Sequence, residues 1–510
     1  MPLDRRQLVT LGAAAGTALA SGCSDAPAWN LLARRLESRP ADVRLPRGDA
    51  VEPAARLLNR LGCGWRPGEL DEVRAKGIDA HIEEQLAYEA IDDAPCSIRA
   101  ARFETIESSP GDIFEYRKQV VERELFQHTM LRAVYSRRQL YETMVRFWTD
   151  HFNISLGKGD CAWFKTVDDR AVIRPHAMGN FGDLLRASAL SPAMLVYLDG
   201  KDNQEASGAD GPNENYAREL LELHALGVHG GYTQRDVMEA ARCLTGWTID
   251  ASWFRGRVAF RGDRHDGGEK RVLGQVIPAG LGDADLDRLL DIVIRHPATP
   301  RYIAAKLCRK FVGDAPPPEL IERAAESFRA SDYAIRPMVR TILASDAFRD
   351  PRASPSHQRL KRPFRFVASA LRALDADTDG GDRLREWLQR MGHAPFNYPT
   401  PDGYPDEPGP WLGSLLWRWN FAIELASNGI PGTRVDLAGV ARLWRADASS
   451  DPSGDWAAHV LGRRMAPDEA EAMRLLAANP SQSADRGATH DHDAPLAAAL
   501  ALASPAFQKY

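Results

Sequence analysis

Across its 510 residues the chain contains almost none of the short patterns that reveal an enzyme at sight. There is no C-x-x-C pair, which removes zinc-ribbon and thioredoxin-type sites. There is no H-E-x-x-H, no phosphate-binding G-x-x-x-x-G-K-[ST] loop and no G-x-S-x-G elbow. Basic charge is not in excess either: the formal net charge is −5, so nucleic acid is not an expected partner. After residue 20 no apolar run approaches the roughly 20 residues that a membrane-crossing helix needs, so the rest reads as soluble. Internal repeats and coiled-coil heptads are missing too.

What is present begins at the N-terminus. Arg5 and Arg6 precede an apolar run from Leu8 to Ala20, too short to span a bilayer. A positive start, a short apolar stretch and small residues make an export signal, and the adjacent arginines point to the twin-arginine route. The run ends in Ala20-Ser21-Gly22-Cys23, which resembles the lipobox of bacterial lipoproteins. Residues 1–23 are therefore read as a signal peptide, with Cys23 as the lipidation site. Ser24 gives no reason for retention at the inner membrane, so a lipid-anchored protein on the periplasmic face of the envelope, at the outer membrane, is expected. The alternative is a secreted protein cut near Ala20 or Gly22. Cysteines 63, 96, 161, 243 and 308 remain, an odd number, and an oxidising compartment allows one or two disulfides among them.

Residues 24–50 are rich in Pro, Arg and Asp and read as a tether. Helical periodicity starts at once after them, with Leu57, Leu58 and Leu61 stopped by Gly62 and Gly64. It continues through a long stretch from about Tyr116 to His151 and through segments near 180–199, 213–226, 283–295, 299–312 and 361–374. Around Trp253–Phe260 and Lys270–Ile277 the pattern changes to short apolar alternation, which predicts a β-hairpin inserted near 251–280. The expected fold is mainly α: one large multi-helix, bundle-like domain over 51–510 with that small hairpin.

The densest polar segment runs from Asn213 to His224. At 100° per residue Asn215, Arg218, Glu219 and Glu222 form one stripe, and Arg218 pairs with Glu222 at i,i+4. The bland reading of this stripe is a solvated helix face. The functional reading turns its carboxylates, with Glu214, towards a pocket as metal ligands or as an acid/base pair. His224 falls on the opposite, apolar face. His151 sits likewise among Leu140, Met144, Phe147, Trp148 and Phe152. Two inward histidines from neighbouring helices could meet as ligands or proton carriers, or be separate core residues. His265-Asp266 spells a metal-phosphohydrolase dipeptide but lies between glycines, as does a hairpin loop. Thr489-His490-Asp491-His492-Asp493 reads as a solvated loop.

The ordered blocks then carry a resemblance. Leu57-Leu58-Asn59-Arg60, Phe147-Trp148 with His151-Phe152, Arg174-Pro175-His176-Ala177 and the Asn213–His224 segment come first. Leu244-Thr245-Gly246-Trp247, Lys306-Leu307, Lys361-Arg362-Pro363 and Pro401-Asp402-Gly403-Tyr404-Pro405 follow. Together they resemble the bacterial family called domain of unknown function 1800, from about residue 53 to the C-terminus. Asp150 stands where that family commonly has Asn, and Tyr404 where it commonly has Trp. The resemblance implies a large helical exported protein. It also implies a frequent neighbour from the family called domain of unknown function 1501, itself similar to the alkaline phosphatase and sulfatase superfamily. It carries over no catalytic residues.

Two functions are expected from the residues themselves. One is an envelope enzyme, a metal-assisted hydrolase, with Asp150, His151, Glu214, Arg218, Glu219, His265 and Asp266 as catalytic residues. In it His151, Glu219, Glu222 and His224 would hold a divalent metal. The other is a non-catalytic protein that binds a partner or polysaccharide through Phe396, Tyr398, Tyr404 and Trp411. Convergent polar groups in a deep pocket favour the first, and a flat aromatic patch favours the second.

Overall fold

In the computed structural model, residues 26–205, 211–250, 256–350, 359–449, 451–477 and 493–510 are described. Cys23 and the 489–492 stretch lie outside them. The protein is mainly helical, with three two-stranded antiparallel sheets. Among the described residues no helix is long and apolar enough to cross a membrane.

Five helices carry the argument. They are α1 (Gln139–His151), α2 (Asn215–Glu219, continuing as a π-helix over Leu220–Leu226), α3 (Ala284–Arg295), α4 (Ala298–Phe311) and α5 (Pro363–Ala373). In α1, Leu140, Met144, Phe147 and Trp148 fall on one face by helical spacing, and all are buried. The Trp148 indole donates to the Ala177 carbonyl at 2.9 Å, which satisfies its one polar atom. In α4 the buried face is Ile303, Ala304, Leu307, Cys308 and Phe311. Tyr302, Lys306 and Lys310, spaced four apart, run alongside it.

Two hydrophobic cores form. The first joins α1, α2, α3 and α4 with the helices around Pro318–Leu343. The second joins α5 with the Lys118–Tyr135 helix, Leu415–Ala426 and the last helix, Asp493–Ala503. The final residues run antiparallel to 359–361: Arg359 and Tyr510 exchange backbone hydrogen bonds at 3.1 and 2.9 Å. That pairing fixes the Tyr510 ring beside the start of α5, between the two cores.

Several expectations change. The stretch read as a tether holds a helix, Ala26–Leu36, and then a strap whose Val43 and Leu45 are buried. Its Asn30 and Arg34 bind Asp377, so polarity here serves docking. The single hairpin is two. Strand β1 (Trp247–Ile249) pairs with β2 (Val258–Phe260), and β3 (Lys270–Val272) with β4 (Gln275–Ile277). The second closes on Leu273 and Gly274, both at positive φ (50° and 78°), as a two-residue hairpin turn requires. Trp253 lies outside the described residues. No disulfide joins the five described cysteines: each is buried and free, and they sit in separate parts of the two cores. Burial pushes the Cys161, Cys243 and Cys308 thiols up to about 12, which makes them inert packing groups.

Candidate functional site

Where the two cores meet, a cavity of about 80 Å³ opens between the end of α1, the end of α4, the start of α5 and the 393–406 loop. Val145 of the first core and Phe364 of the second both line it. The loop rests on α1: Gly403 takes φ 77°, and a Cβ there would stand 2.4 Å from the Asp150 carbonyl oxygen. Asn153 holds it by donating to the Tyr398 and Thr400 carbonyls at 3.1 and 2.8 Å.

The lining is cationic. Arg146, Lys310, Arg359, Arg362 and Arg365 face three carboxylates, Asp150, Asp169 and Asp406. Asp169 is engaged elsewhere, with Arg174 at 2.7 Å. Arg362 sits at the centre. It donates to Asp150 at 2.6 Å, to the Tyr404 carbonyl at 3.0 Å, and to Asp406. Burial would raise the Asp406 pKa, but Arg362 and Arg359 pull it far below the usual carboxylate range. Arg362 and Arg365 stand at the first turn of α5, where the helix dipole favours acids, and that turn carries none. A cation cluster placed against the dipole is not there for helix stability.

Three of the cations have no carboxylate partner among the described residues. Arg146 donates to the Thr143 hydroxyl and the Cys63 sulfur and lies over the Phe364 ring at 5.8 Å. Arg365 donates to backbone carbonyls of 59, 60 and 62, and its buried Nε has no partner. Its guanidinium lies over the Tyr510 ring at 3.7 Å. The Lys310 amine has no hydrogen-bond partner there, and burial lowers its pKa to about 8. Burial pushes the Tyr510 phenol up, but Arg359, Arg365 and Lys310 outweigh it and bring the phenol down to about 7. Apolar walls come from Phe364, Phe396 and Tyr404.

One helical turn before Lys310, Lys306 donates to His151 Nδ1 at 2.9 Å. His151 Nε2 lies 3.0 Å from the His224 carbonyl. A carbonyl oxygen only accepts, so Nε2 carries the proton and Nδ1 offers its lone pair to the amine. The inward turn of both histidines is thus observed, but they meet through a backbone carbonyl, with ring centres 6.2 Å apart. Burial, then Lys306, depresses His224 to about 3, and its ring nitrogens have no partner among the described residues.

The polar stripe of α2 stays outside the cavity. Arg218 pairs with Glu214 at 3.0 Å, not with Glu222, which accepts from the Tyr232 hydroxyl at 2.9 Å. The reason is the π-helix from Leu220, whose wider i→i+5 turn breaks the 100° register. Glu219 is half-buried, and burial and Glu222 raise its pKa. Among the described residues no group of three or more His, Cys, Asp or Glu side chains is placed to hold a metal ion. His151, Glu219, Glu222 and His224 are therefore not gathered as a ligand set.

His265 and Asp266 build a separate network. His265 Nε2 meets Asp285 of α3 at 3.0 Å, and Nδ1 meets the Thr245 carbonyl at 2.9 Å. Lys270 donates to the same Asp285 oxygen and to the Asp266 carbonyl. The Asp266 carboxylate pairs with Arg242 at 2.6 Å.

The aromatic loop also turns inward. Phe396 and Trp411 are buried, and Tyr404 packs between His393 and Tyr398, with ring centres 4.4 and 4.6 Å away. It forms a wall of the cavity and not a flat contact surface. A wider recess of about 760 Å³ lies near Arg66, but Glu37 and Asp375 occupy that guanidinium.

Of the cavity residues, sequence reasoning found Asp150, Phe396 and Tyr404 and missed Lys310, Arg359, Arg362, Arg365, Asp406 and Tyr510; it found His151 but missed Lys306 beside it. The signals were there: arginines three apart at 359, 362 and 365, and lysines four apart at 306 and 310. No curated protein and no solved structure matches the chain. A family model described as "Protein of unknown function (DUF1800)" matches residues 56–509, so the chain belongs to that family.

Proposed function

We propose that this chain is an exported envelope lipoprotein, anchored through Cys23, that takes an organic anion into the cavity between α1, α4 and α5. The ligand class is a sulfate, phosphate or carboxylate joined to an apolar body. The observation that supports this is the excess of cations over carboxylates around a cavity with aromatic walls, above all the Lys310 amine, which has no hydrogen-bond partner among the described residues. Charge-assisted hydrogen bonds contribute about 1.5–3 kcal/mol each, so one lysine is worth roughly ten- to a hundredfold in affinity. Metal-assisted hydrolysis is not the reading favoured here, because the four candidate ligands are dispersed.

The pH dependence follows from the two groups facing the anion. Below about pH 7 Lys310 is charged and Tyr510 neutral, so the cavity is most positive. As pH rises through 7 and 8, Tyr510 gains a negative charge and Lys310 loses its positive one. Titration calorimetry with 4-nitrophenyl sulfate, which stays anionic throughout, is expected to show binding at pH 6.5. Affinity should fall by about tenfold or more at pH 9, and again in Lys310→Met at pH 6.5. Absence of binding, or equal affinity in the variant, overturns the reading.

A further inference from the structure

Among the described residues Lys306 shares the lack of a carboxylate partner with Lys310 and Lys361, and differs from them in its hydrogen bond to an imidazole. Lys165 and Lys270 are ion-paired with Asp168 and Asp285. Lys306 has no carboxylate ion-pair partner among the described residues; its hydrogen bond goes to a neutral imidazole nitrogen. A lysine kept from water without a counter-ion is held towards its neutral, nucleophilic form. Burial lowers Lys306 to about 8, against the opposing pull of Asp406. His151 in turn is fixed in one tautomer by the His224 carbonyl. This is the arrangement of an activated nucleophile: an amine, a base within hydrogen-bond reach, and a third group that orients the base. Lys306 is half-buried as a residue and lies one turn from the cavity-lining Lys310. A purely structural lysine at this place would gain more from a carboxylate than from an imidazole that must stay neutral.

We infer that Lys306 is a nucleophilic amine that condenses with the carbonyl carbon of an aldehyde or ketone ligand, with His151 Nδ1 taking the proton. The amine nitrogen attacks the carbonyl carbon, and the C=O π electrons move to oxygen. The proton lost by nitrogen passes through His151 Nδ1 to that oxygen, giving a carbinolamine. Loss of water then forms the C=N bond of the imine. No electrons are gained or lost overall, and no co-reactant is needed. The inference concerns the amine alone and stands whether or not the cavity binds anions.

The test is competitive labelling of the full-length protein at pH 7.4 with propanal, trapped by sodium cyanoborohydride and read by peptide mass spectrometry. Lys306 is expected to be alkylated on the order of 100-fold faster than the half-exposed Lys118. His151→Phe, checked for intact near-ultraviolet circular dichroism, is expected to slow labelling at Lys306 about tenfold and leave Lys118 unchanged. Labelling of Lys306 no faster than Lys118 overturns the inference, and that comparison needs no variant. Fast labelling that His151→Phe leaves unaltered overturns the role given to His151.

Discussion

Histidine, lysine and aspartate come together twice in this protein, with opposite results. In the His265–Asp285–Lys270 network the groups close on one another. Lys270 and Asp285 are each 1 % exposed, and one Asp285 oxygen takes both the lysine and the histidine. At the seam between the cores, Asp150, His151, Lys306 and Lys310 stand beside a cavity. There Arg146, Arg365, Lys306 and Lys310 have no carboxylate partner among the described residues. The residue types are the same; what differs is whether donors remain once the protein has satisfied itself. Burial with both cationic donors held by one Asp285 oxygen fixes two loops against α3. Burial beside open space leaves chemistry available.

That contrast can be broken most forcefully at Asp285. Asp285→Ala leaves Lys270 and His265 without their shared acceptor and is expected to lower stability by about 3–5 kcal/mol in urea unfolding. Affinity for 4-nitrophenyl sulfate should stay within about twofold. A folded Asp285→Ala protein that no longer binds would make the closed network part of the site.

A smaller effect sharpens the other side. His224 is neutral in the core and titrates at about 3, while the unfolded chain takes its proton near 6.5. Its contribution is therefore complete above pH 6.5 and is lost as pH falls, by roughly 2 kcal/mol at pH 5. His224→Phe should remove about that much of the stability difference between pH 7 and pH 5. An unchanged difference would place the acid sensitivity elsewhere.

The helices were legible because their cause is local. The spacing of Leu140, Met144, Phe147 and Trp148 states one buried face, and His151 and His224 follow from the same periodicity. The candidate site was not legible in that way. Asp150, Lys310, Arg362, Asp406 and Tyr510 are brought together by tertiary packing, and no local rule ties Tyr510 to Arg359. Where a local rule was applied across a change of geometry it failed, as at Arg218 and Glu222, where the π-helix resets the register. The tighter hairpin was hidden for a related reason. Its turn places Leu273 at positive φ, a position where sequence leads one to expect Asn or Gly. The 24–50 stretch was misread from composition, since its Arg34 and Arg39 pair with Asp377 and Asp375.

The central claim is that the seam holds an anion and the α2 stripe does not. A crystal of the full protein soaked in 4-bromophenyl sulfate tests it most directly. The account predicts the sulfate within hydrogen-bond distance of Lys310 Nζ and a bromine anomalous peak against Phe364 and Phe396. An empty cavity at saturating ligand, or the sulfate on Arg218 instead, would contradict it.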